Sequence, residues 1–445
     1  MNSNLSAKQI MAIGLMLFAL FFGAGNMIFP PFLGQDAGTN VWTAIIGFLI
    51  TGVGLPLVSI IAIAKNGDVQ TLASRVHPAY GVAFPVVMYL VIGPLFAIPR
   101  TGTVSYEIGV IPFLSENADN SRLPLLFFSI IFFVITAWLA MNPTKLVDRI
   151  GKILTPALLI ILGIIVVKSL ITPMGEPQAP IGLYADGPIF KGFVEGYLTM
   201  DTIAALVFGI IVISAIKGQG VTNKKTLTKI CVQSGLIAAA GLAVVYLALA
   251  YIGSTAPAAI GVQENGGAIL SGAVKYLFGS FGSIILALAI VFACLTTSIG
   301  LVSACGEYFS KLLPRFSYKS IVIIFSIFST VIANAGLTQL IKFSVPVLVI
   351  IYPLAIVLIL LSFLHNYFRG YSIVYICSII PTGIISLVDG LNTAGLNVSV
   401  LTEALSVLPL YSQGISWALP AIIGAIIGYI IAMIFNAPKN TVSSH

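Results

Sequence analysis

The sequence predicts an all-α integral membrane protein of roughly twelve transmembrane helices, and three observations carry that prediction. Charged residues make up 8% of the 445-residue chain and hydrophobic residues 58%, whereas a soluble domain carries about a quarter charged. Apolar runs long enough to cross a bilayer recur along the whole chain, with no long polar interval between them. The joints between those runs alternate between acidic and basic. Lipid cannot satisfy backbone N–H and C=O groups, so only helices and closed barrels span it. The short alternating segments of a barrel are not found.

Taken in order, the runs are Ile10–Phe32, Trp42–Ala64, Tyr80–Phe113, Leu123–Met141, Ile153–Leu170 and Phe193–Ile216. A second set follows: Ile230–Ile252, Phe281–Phe309, Ile321–Ile332, Leu340–Leu364, Ile373–Leu387 and Ile415–Phe435. The ninth and eleventh are short. The first begins after Lys8 and runs into small residues at Gly23 to Gly25, as a cleaved leader would. The apolar stretch continues past them and further spans follow, so the expectation is a retained signal-anchor helix.

The joints sort by charge. Asp36, Glu116, Asp119, Glu176, Asp186, Glu264, Asp389 and Glu403 fall on one side. Lys65, Arg75, Lys145, Arg149, Lys152, Lys217, Lys224, Lys225, Lys229, Lys311, Arg315, Lys319 and Arg369 fall on the other, with Lys8 and Lys439 at the termini. The positive-inside rule places the basic set in the cytoplasm and makes both termini cytoplasmic. The net charge of +7 therefore reads as membrane orientation rather than nucleic-acid binding, because the basic residues form no separate polar face. Cys231, Cys294, Cys305 and Cys377 lie in or near apolar runs without CxxC spacing, so neither a disulfide nor a metal is expected. His77, His365 and His445 sit in loops or the tail, which argues against an intramembrane enzyme. No repeated filter motif or charged ring suggests a channel.

Two segments resist a continuous helix. Phe21–Asn26 carries two glycines and an Asn at mid-span, followed by Pro30 and Pro31. Glu195–Thr202 places a carboxylate, Asp201, near the centre of the sixth span, where it is costly without a partner or water. These are the first and sixth spans, corresponding members of two five-helix units. Interruptions in matching positions of two halves are the sequence pointer to a carrier's binding site. The expected division is one transport domain over 1–445, made of a first repeat over 8–172, an inverted second repeat over 188–366 and two additional helices over 371–436.

At the first break, Gly23, Ala24, Gly25 and Asn26 would offer N–H groups at a half-helix N-terminus to a substrate carboxylate. The carbonyls of Ala19 and Phe22 before it are candidate cation ligands; the structural alternative is a kink or a close helix contact. In the eighth span, Ala293, Thr296 and Thr297 supply the oxygens that hard cations prefer; the alternative is hydroxyls bonded to their own helix carbonyls. Asp201, with Thr199 and Thr202 beside it, is open to three roles: substrate ammonium partner, cation ligand or proton carrier. The structural alternative for Asp201 is an ion pair with Arg100. Arg100 itself is a candidate gate, a partner for Asp201 or Glu107, or a residue snorkelling to the outer interface.

Phe21–Pro31 (FFGAGNMIFPP), Gly93–Thr101 (GPLFAIPRT), Asn142–Gly151 (NPTKLVDRIG), Glu195–Asp201 (EGYLTMD), Ala293–Leu301 (ACLTTSIGL) and Val345–Pro353 (VPVLVIIYP) resemble segments of the bacterial branched-chain amino acid carriers of BrnQ type. These lie in the amino acid/polyamine/organocation superfamily. The resemblance implies a LeuT-like 5+5 inverted repeat with discontinuous helices 1 and 6 plus two extra C-terminal helices. It also implies uptake of leucine, isoleucine and valine across the bacterial cell membrane. The coupling ion would be sodium, with the proton as alternative, and an exchanger for other small neutral amino acids is the remaining carrier reading. Gly23, Gly25 and Asn26 resemble the unwound first helix of LeuT-like carriers. Ala293, Thr296 and Thr297 resemble their eighth-helix sodium segment. The TMDT run at Thr199–Thr202 does not align with LeuT, which leaves a second sodium site without support. No obligate protein partner and no cofactor beyond the coupling ion are implied.

Overall fold

The computed structural model describes residues 5–114, 122–141 and 155–435, and among them it is helical without a strand. Glu116, Asp119, Lys152, Lys439, His445 and the whole Asn142–Gly151 motif, with Lys145 and Arg149, lie outside the described residues. Eight described helices are long and apolar enough to cross a membrane by themselves, and shorter apolar helices stand between them. They follow the series of crossings read from the sequence.

The first span is two helices, α1 (Ala7–Phe21) and α2 (Ala24–Ala37). Ser6 and Gln9 form a capping box that starts α1. The break falls at Phe22 and Gly23. Pro30 and Pro31, expected to resist helix, lie inside α2. Two prolines delete two helix hydrogen bonds, yet the segment stays helical against a close neighbour: a Cβ at Gly253 would strike the Pro31 carbonyl.

The second span is α3 (Val41–Leu49) and α4 (Leu55–Asn66), joined by a π turn over Ile50–Gly54. The third, expected to be continuous, is also interrupted. It consists of α5 (Pro78–Leu90) and α6 (Ala97–Gly109), parted at Val91–Leu95, where Gly93 leaves helical geometry at φ −89°, ψ −124°. Pro94 disfavours helix at the residue before it, and Gly93, with no Cβ, tolerates the non-helical pair that results. The fourth and fifth are α7 (Leu123–Ala140) and α8 (Thr155–Ile171).

The sixth span breaks where its sequence is least apolar. Helix α9 (Pro188–Glu195) passes into a 3-10 turn over Gly196–Thr199, Met200 turns left-handed at φ 66°, and α10 (Asp201–Gly218) begins. A non-glycine residue in that region stores about 1–2 kcal/mol, so the surrounding packing must hold the turn in place. The rest are α11 (Lys224–Thr255), α12 (Gly266–Leu312, bent at Gly279), α13 (Tyr318–Ala333), α14 (Leu337–Leu364), α15 (Ser372–Thr393) and α16 (Ala418–Ile434).

The packing partners repeat between halves. Spans one and seven meet through α2 and α11; spans six and two meet through α9 and α3. Spans five and eight meet through α8 and α12; spans ten and three meet through α14 and α6. The third and eighth pack on each other through α6 and α12. Each pairing is its partner's image under exchange of the two five-helix halves. Glycine makes the closest crossings in both. A Cβ on Gly34 would strike the Ala250 carbonyl, and one on Gly192 would strike the Ala44 carbonyl. Helices α15 and α16 pack together beside α14, outside the repeat.

The most apolar stretch of α7 is only 28% buried and that of α12 is 67% buried, so the fourth span faces lipid while the eighth lies inside. One end of the bundle gathers Asp36, Lys191 and Glu195, with Lys191 Nζ 2.5 Å from Glu195 Oε1. The other gathers Lys65 over Phe363, and Arg75 donating to Asn66 Oδ1.

Candidate functional site

The breaks in the first and sixth spans face one small cavity. Its wall includes Gly23, Ala24, Gly25 and Asn26 from the first break, Thr199, Met200 and Asp201 from the sixth, and Arg100 and Thr297 from α6 and α12. Leu20, Phe21, Ile92, Ala204, Phe208 and Leu301 complete an apolar side. The enclosed space is about 30 Å³, room for roughly two waters. A larger cavity of about 270 Å³ lies about one helix turn away, lined by Asp68, Tyr89, Val207, Ala304, Glu307 and Lys311.

Asn26 organises the first break. Its Oδ1 accepts the Gly23 N–H at 3.0 Å, the N–H that a continuous helix would give to the Ala19 carbonyl. The Ala19 carbonyl is thereby left without its helix partner. The Nδ2 of Asn26 donates to Asp201 Oδ2 at 2.6 Å and also reaches Tyr246 Oη. Tyr246 Oη donates to the same Asp201 oxygen at 2.7 Å. Three buried groups, at 2%, 2% and 0% exposure, thus tie the two breaks to α11. Asp201 stands in the first turn of α10, where the helix dipole favours a carboxylate, and its own N–H donates to Thr199 Oγ1 at 3.3 Å.

At the end of α1, Thr297 Oγ1 lies 3.4 Å from the Leu20 carbonyl and 3.5 Å from the Phe22 carbonyl. A Cβ on Gly23 would sit 2.7 Å from that hydroxyl, so glycine is what lets α12 come this close. Thr296 donates to the Ala293 carbonyl of its own helix at 2.7 Å, as the structural alternative expected of a membrane-helix hydroxyl. Hydroxyl and carbonyl oxygens from two helices therefore gather at the negative end of α1's dipole, a donor set that suits a hard cation.

Arg100 is 3% exposed and does not snorkel. Nη1 donates to the Leu198 carbonyl at 2.8 Å and Nη2 to the Thr199 carbonyl at 3.3 Å. The Phe29 ring lies 5.3 Å from the guanidinium carbon. Arg100 and Asp201 thus take different partners rather than the ion pair weighed from sequence. Glu107, the other partner considered for Arg100, accepts from Asn265 Nδ2 at 3.3 Å. Thr202 lies apart from the cavity wall: its hydroxyl donates to the Thr51 carbonyl at 3.0 Å, fastening α10 to the π turn of the second span.

Sequence reasoning missed Tyr246, the Leu20, Leu198 and Thr199 carbonyls, and Phe29. A tyrosine in an apolar run has the spacing of any packing aromatic, and no sequence signal marks which backbone carbonyl a distant side chain will reach.

A family model described as "Branched-chain amino acid transport protein" matches residues 6–435. The chain belongs to this family. It is 55% identical to the branched-chain amino acid permease BraB of Bacillus subtilis, over 99% of both chains. It is 45% identical to the branched-chain amino acid transport system 2 carrier protein of Pseudomonas aeruginosa, over 99% of this chain and all of that one. It is 41% identical to the permease BrnQ of Escherichia coli strain K12, over 97% of both. Among solved structures, it resembles a nucleobase–cation symport-1 family transporter in a closed conformation with bromovinylhydantoin bound, at TM-score 0.64 and 15% identity over 96% of this chain and 93% of that one. It also resembles MhsT in complex with L-phenylalanine, at TM-score 0.58 and 18% identity over 95% and 98%. These likenesses give the fold expected from the sequence, the LeuT-like 5+5 inverted repeat with discontinuous helices 1 and 6. The protein is a multi-pass bacterial membrane transporter of the branched-chain amino acid family, not an enzyme.

Proposed function

We propose that this family member imports leucine, isoleucine and valine, driven by sodium through alternating access. One observation carries the reading: two helix breaks in equivalent halves face one cavity and leave unlike groups there. The N-terminus of α2 presents the N–H groups of Ala24, Gly25 and Asn26, which have no acceptor within their own helix. The N-terminus of α10 already holds the carboxylate of Asp201. A zwitterion matches this pair in charge, with its carboxylate at α2 and its ammonium toward Asp201, and the space of about 30 Å³ must widen to admit it. The Leu198 and Thr199 carbonyls, which could otherwise receive the ammonium, are taken up by Arg100. The apolar side formed by Ile92, Phe208 and Leu301 suits a branched side chain. One methylene more or less changes binding by about 1–3 kcal/mol, so all three substrates are accepted.

Sodium is assigned to the Ala19 and Phe22 carbonyls with Ala293, Thr296 and Thr297. Its binding would hold the end of α1 against α12 and so favour one state of the carrier, which is what coupling requires. The proton is the second reading, favoured by the buried carboxylate at Asp201. Leucine uptake into proteoliposomes under a sodium gradient or a pH gradient, imposed separately, decides between them. Sodium-driven uptake is expected to fall at least tenfold in Thr297→Ala and to stay sodium-dependent in Asp201→Asn. Uptake driven by a pH gradient alone and abolished in Asp201→Asn would favour the proton. No leucine uptake under either gradient would sink the import reading.

A further inference from the structure

Arg100 brings a full positive charge into the cavity wall. Its two terminal nitrogens bridge the Leu198 and Thr199 carbonyls, which the 3-10 turn and the left-handed Met200 release from helical pairing. A free carbonyl pair at such a break is ordinarily a seat for a cation. Here a side chain from the third span fills it. Fit is built in from three directions. Gly25 leaves room, since a Cβ there would stand 2.6 Å from Nη2. The Phe29 ring faces the guanidinium. The break at Gly93–Phe96 starts α6 one turn before Arg100.

The third nitrogen is the telling one. Nε is buried and has no hydrogen-bond partner, although Arg100 lines the cavity. A guanidinium N–H left unpaired in the interior is costly, and its natural acceptor is an anion. The α2 N-terminus borders the same space beside Gly25, so two independent anion-seeking features converge. At α10 the equivalent terminus already has Asp201.

We propose that Arg100 is the carboxylate-recognising residue of the carrier. Its Nη atoms hold the sixth-span break in place of a second cation, and its Nε, with the first-turn N–H groups of α2, receives the carboxylate of the amino acid. The site then carries its own cation for the substrate carboxylate and its own anion, Asp201, for the ammonium. It discriminates zwitterions from plain amines and plain acids. This rests on the amino acid reading of the cavity.

Purified protein in detergent or proteoliposomes tests it with three ligands: leucine, 3-methylbutylamine, which lacks the carboxylate, and 4-methylpentanoate, which lacks the amine. Arg100→Gln is expected to weaken leucine and 4-methylpentanoate binding by roughly thirtyfold or more, the loss typical of truncating one partner of a buried charge pair. Its 3-methylbutylamine binding is expected to stay within about threefold of the parent. Arg100→Lys keeps the charge, but its three donors sit on one nitrogen and cannot reach the positions that Nη1, Nη2 and Nε occupy together, so it is expected to recover only part of the leucine affinity. Sodium-induced thermal stabilisation of each variant reports that the fold is intact. Unchanged leucine affinity in Arg100→Gln, or equal loss of all three ligands in both variants, overturns the proposal. Failure of the parent protein to bind leucine overturns the amino acid reading instead.

Discussion

Single atoms govern the site at the residue scale. Gly25 is held by space rather than by backbone conformation: an added Cβ would lie 2.6 Å from Arg100 Nη2 and 3.2 Å from the Thr199 carbonyl oxygen. Relief would require moving either the guanidinium or the backbone of the sixth-span break. Gly25→Ala is therefore expected to lower leucine uptake at least tenfold while the protein still folds and inserts, checked by uptake against the amount in the membrane. Wild-type uptake in that variant would mean the two breaks are not in contact during transport. Gly25 and Asn26 were legible in the sequence because a glycine pair and an amide at mid-span defeat a helix. Asp201 was legible because a mid-span acid is rare. Tyr246 was not: its ring packs edge-on against Phe48 at 5.3 Å like any core aromatic, and only its hydroxyl, meeting Asp201, distinguishes it.

At the scale of the element, the half-helices work because their neighbours come within backbone distance. Lipid offers no hydrophobic drive for helices to associate, so small residues and close packing must supply it. Gly34 and Gly253 join α2 to α11, and Gly47 and Gly192 join α3 to α9 in the other half. Both half-helices on one side of each break are thus clamped by glycine crossings. Gly253→Ala would drive a methyl group into the Pro31 carbonyl, an overpacking cost of about 1–3 kcal/mol. The expected result is a lower thermal unfolding temperature in detergent, with a parallel loss in Gly192→Ala; an unchanged transition in both would remove the clamp. The π turn at Ile50–Gly54 and the break at Gly93 show what periodicity conceals. Both lie in runs whose hydropathy is unbroken, and the departure from helix is decided by what docks there: Thr202 on the Thr51 carbonyl, and the Cys305 sulfur facing Gly93, where a Cβ would come within 2.8 Å.

For the whole molecule, the two cavities lie about one helix turn apart along the third, sixth and eighth spans. The site cavity is nearly filled by Arg100 and its neighbours, while the larger one opens beside Asp68, Glu307 and Lys311. Those residues belong to the end of the bundle that carries the basic joints, which the positive-inside rule predicts to be cytoplasmic. Glu307→Cys is expected to react with a membrane-impermeant maleimide in inside-out vesicles and not in intact cells. Cys231, Cys294 and Cys305 are buried and Cys377 is partly buried, so the variant is made on a Cys377→Ser background. Labelling from outside would reverse the orientation. The exchange symmetry of the packing is what rocking of one set of spans against another would need; the Asn26–Asp201–Tyr246 network ties spans one, six and seven together within one set, and Arg100 and Thr297 make the contacts to the third and eighth spans.

The sequence by itself determined that this chain lies in a bilayer, where its spans run and that the first and sixth of them cannot stay helical; the break in the third it did not announce. Composition and helix-breaking residues act locally and need no knowledge of neighbours. The tertiary structure alone decided which oxygen, carbonyl or nitrogen faces the hollow. It brought Arg100 to carbonyls 98 and 99 residues away, drew Tyr246 into the acid's shell and turned Thr202 toward another helix. Those outcomes follow from how two inverted halves pack against each other, a property of three-dimensional contact that hydropathy along a chain does not encode.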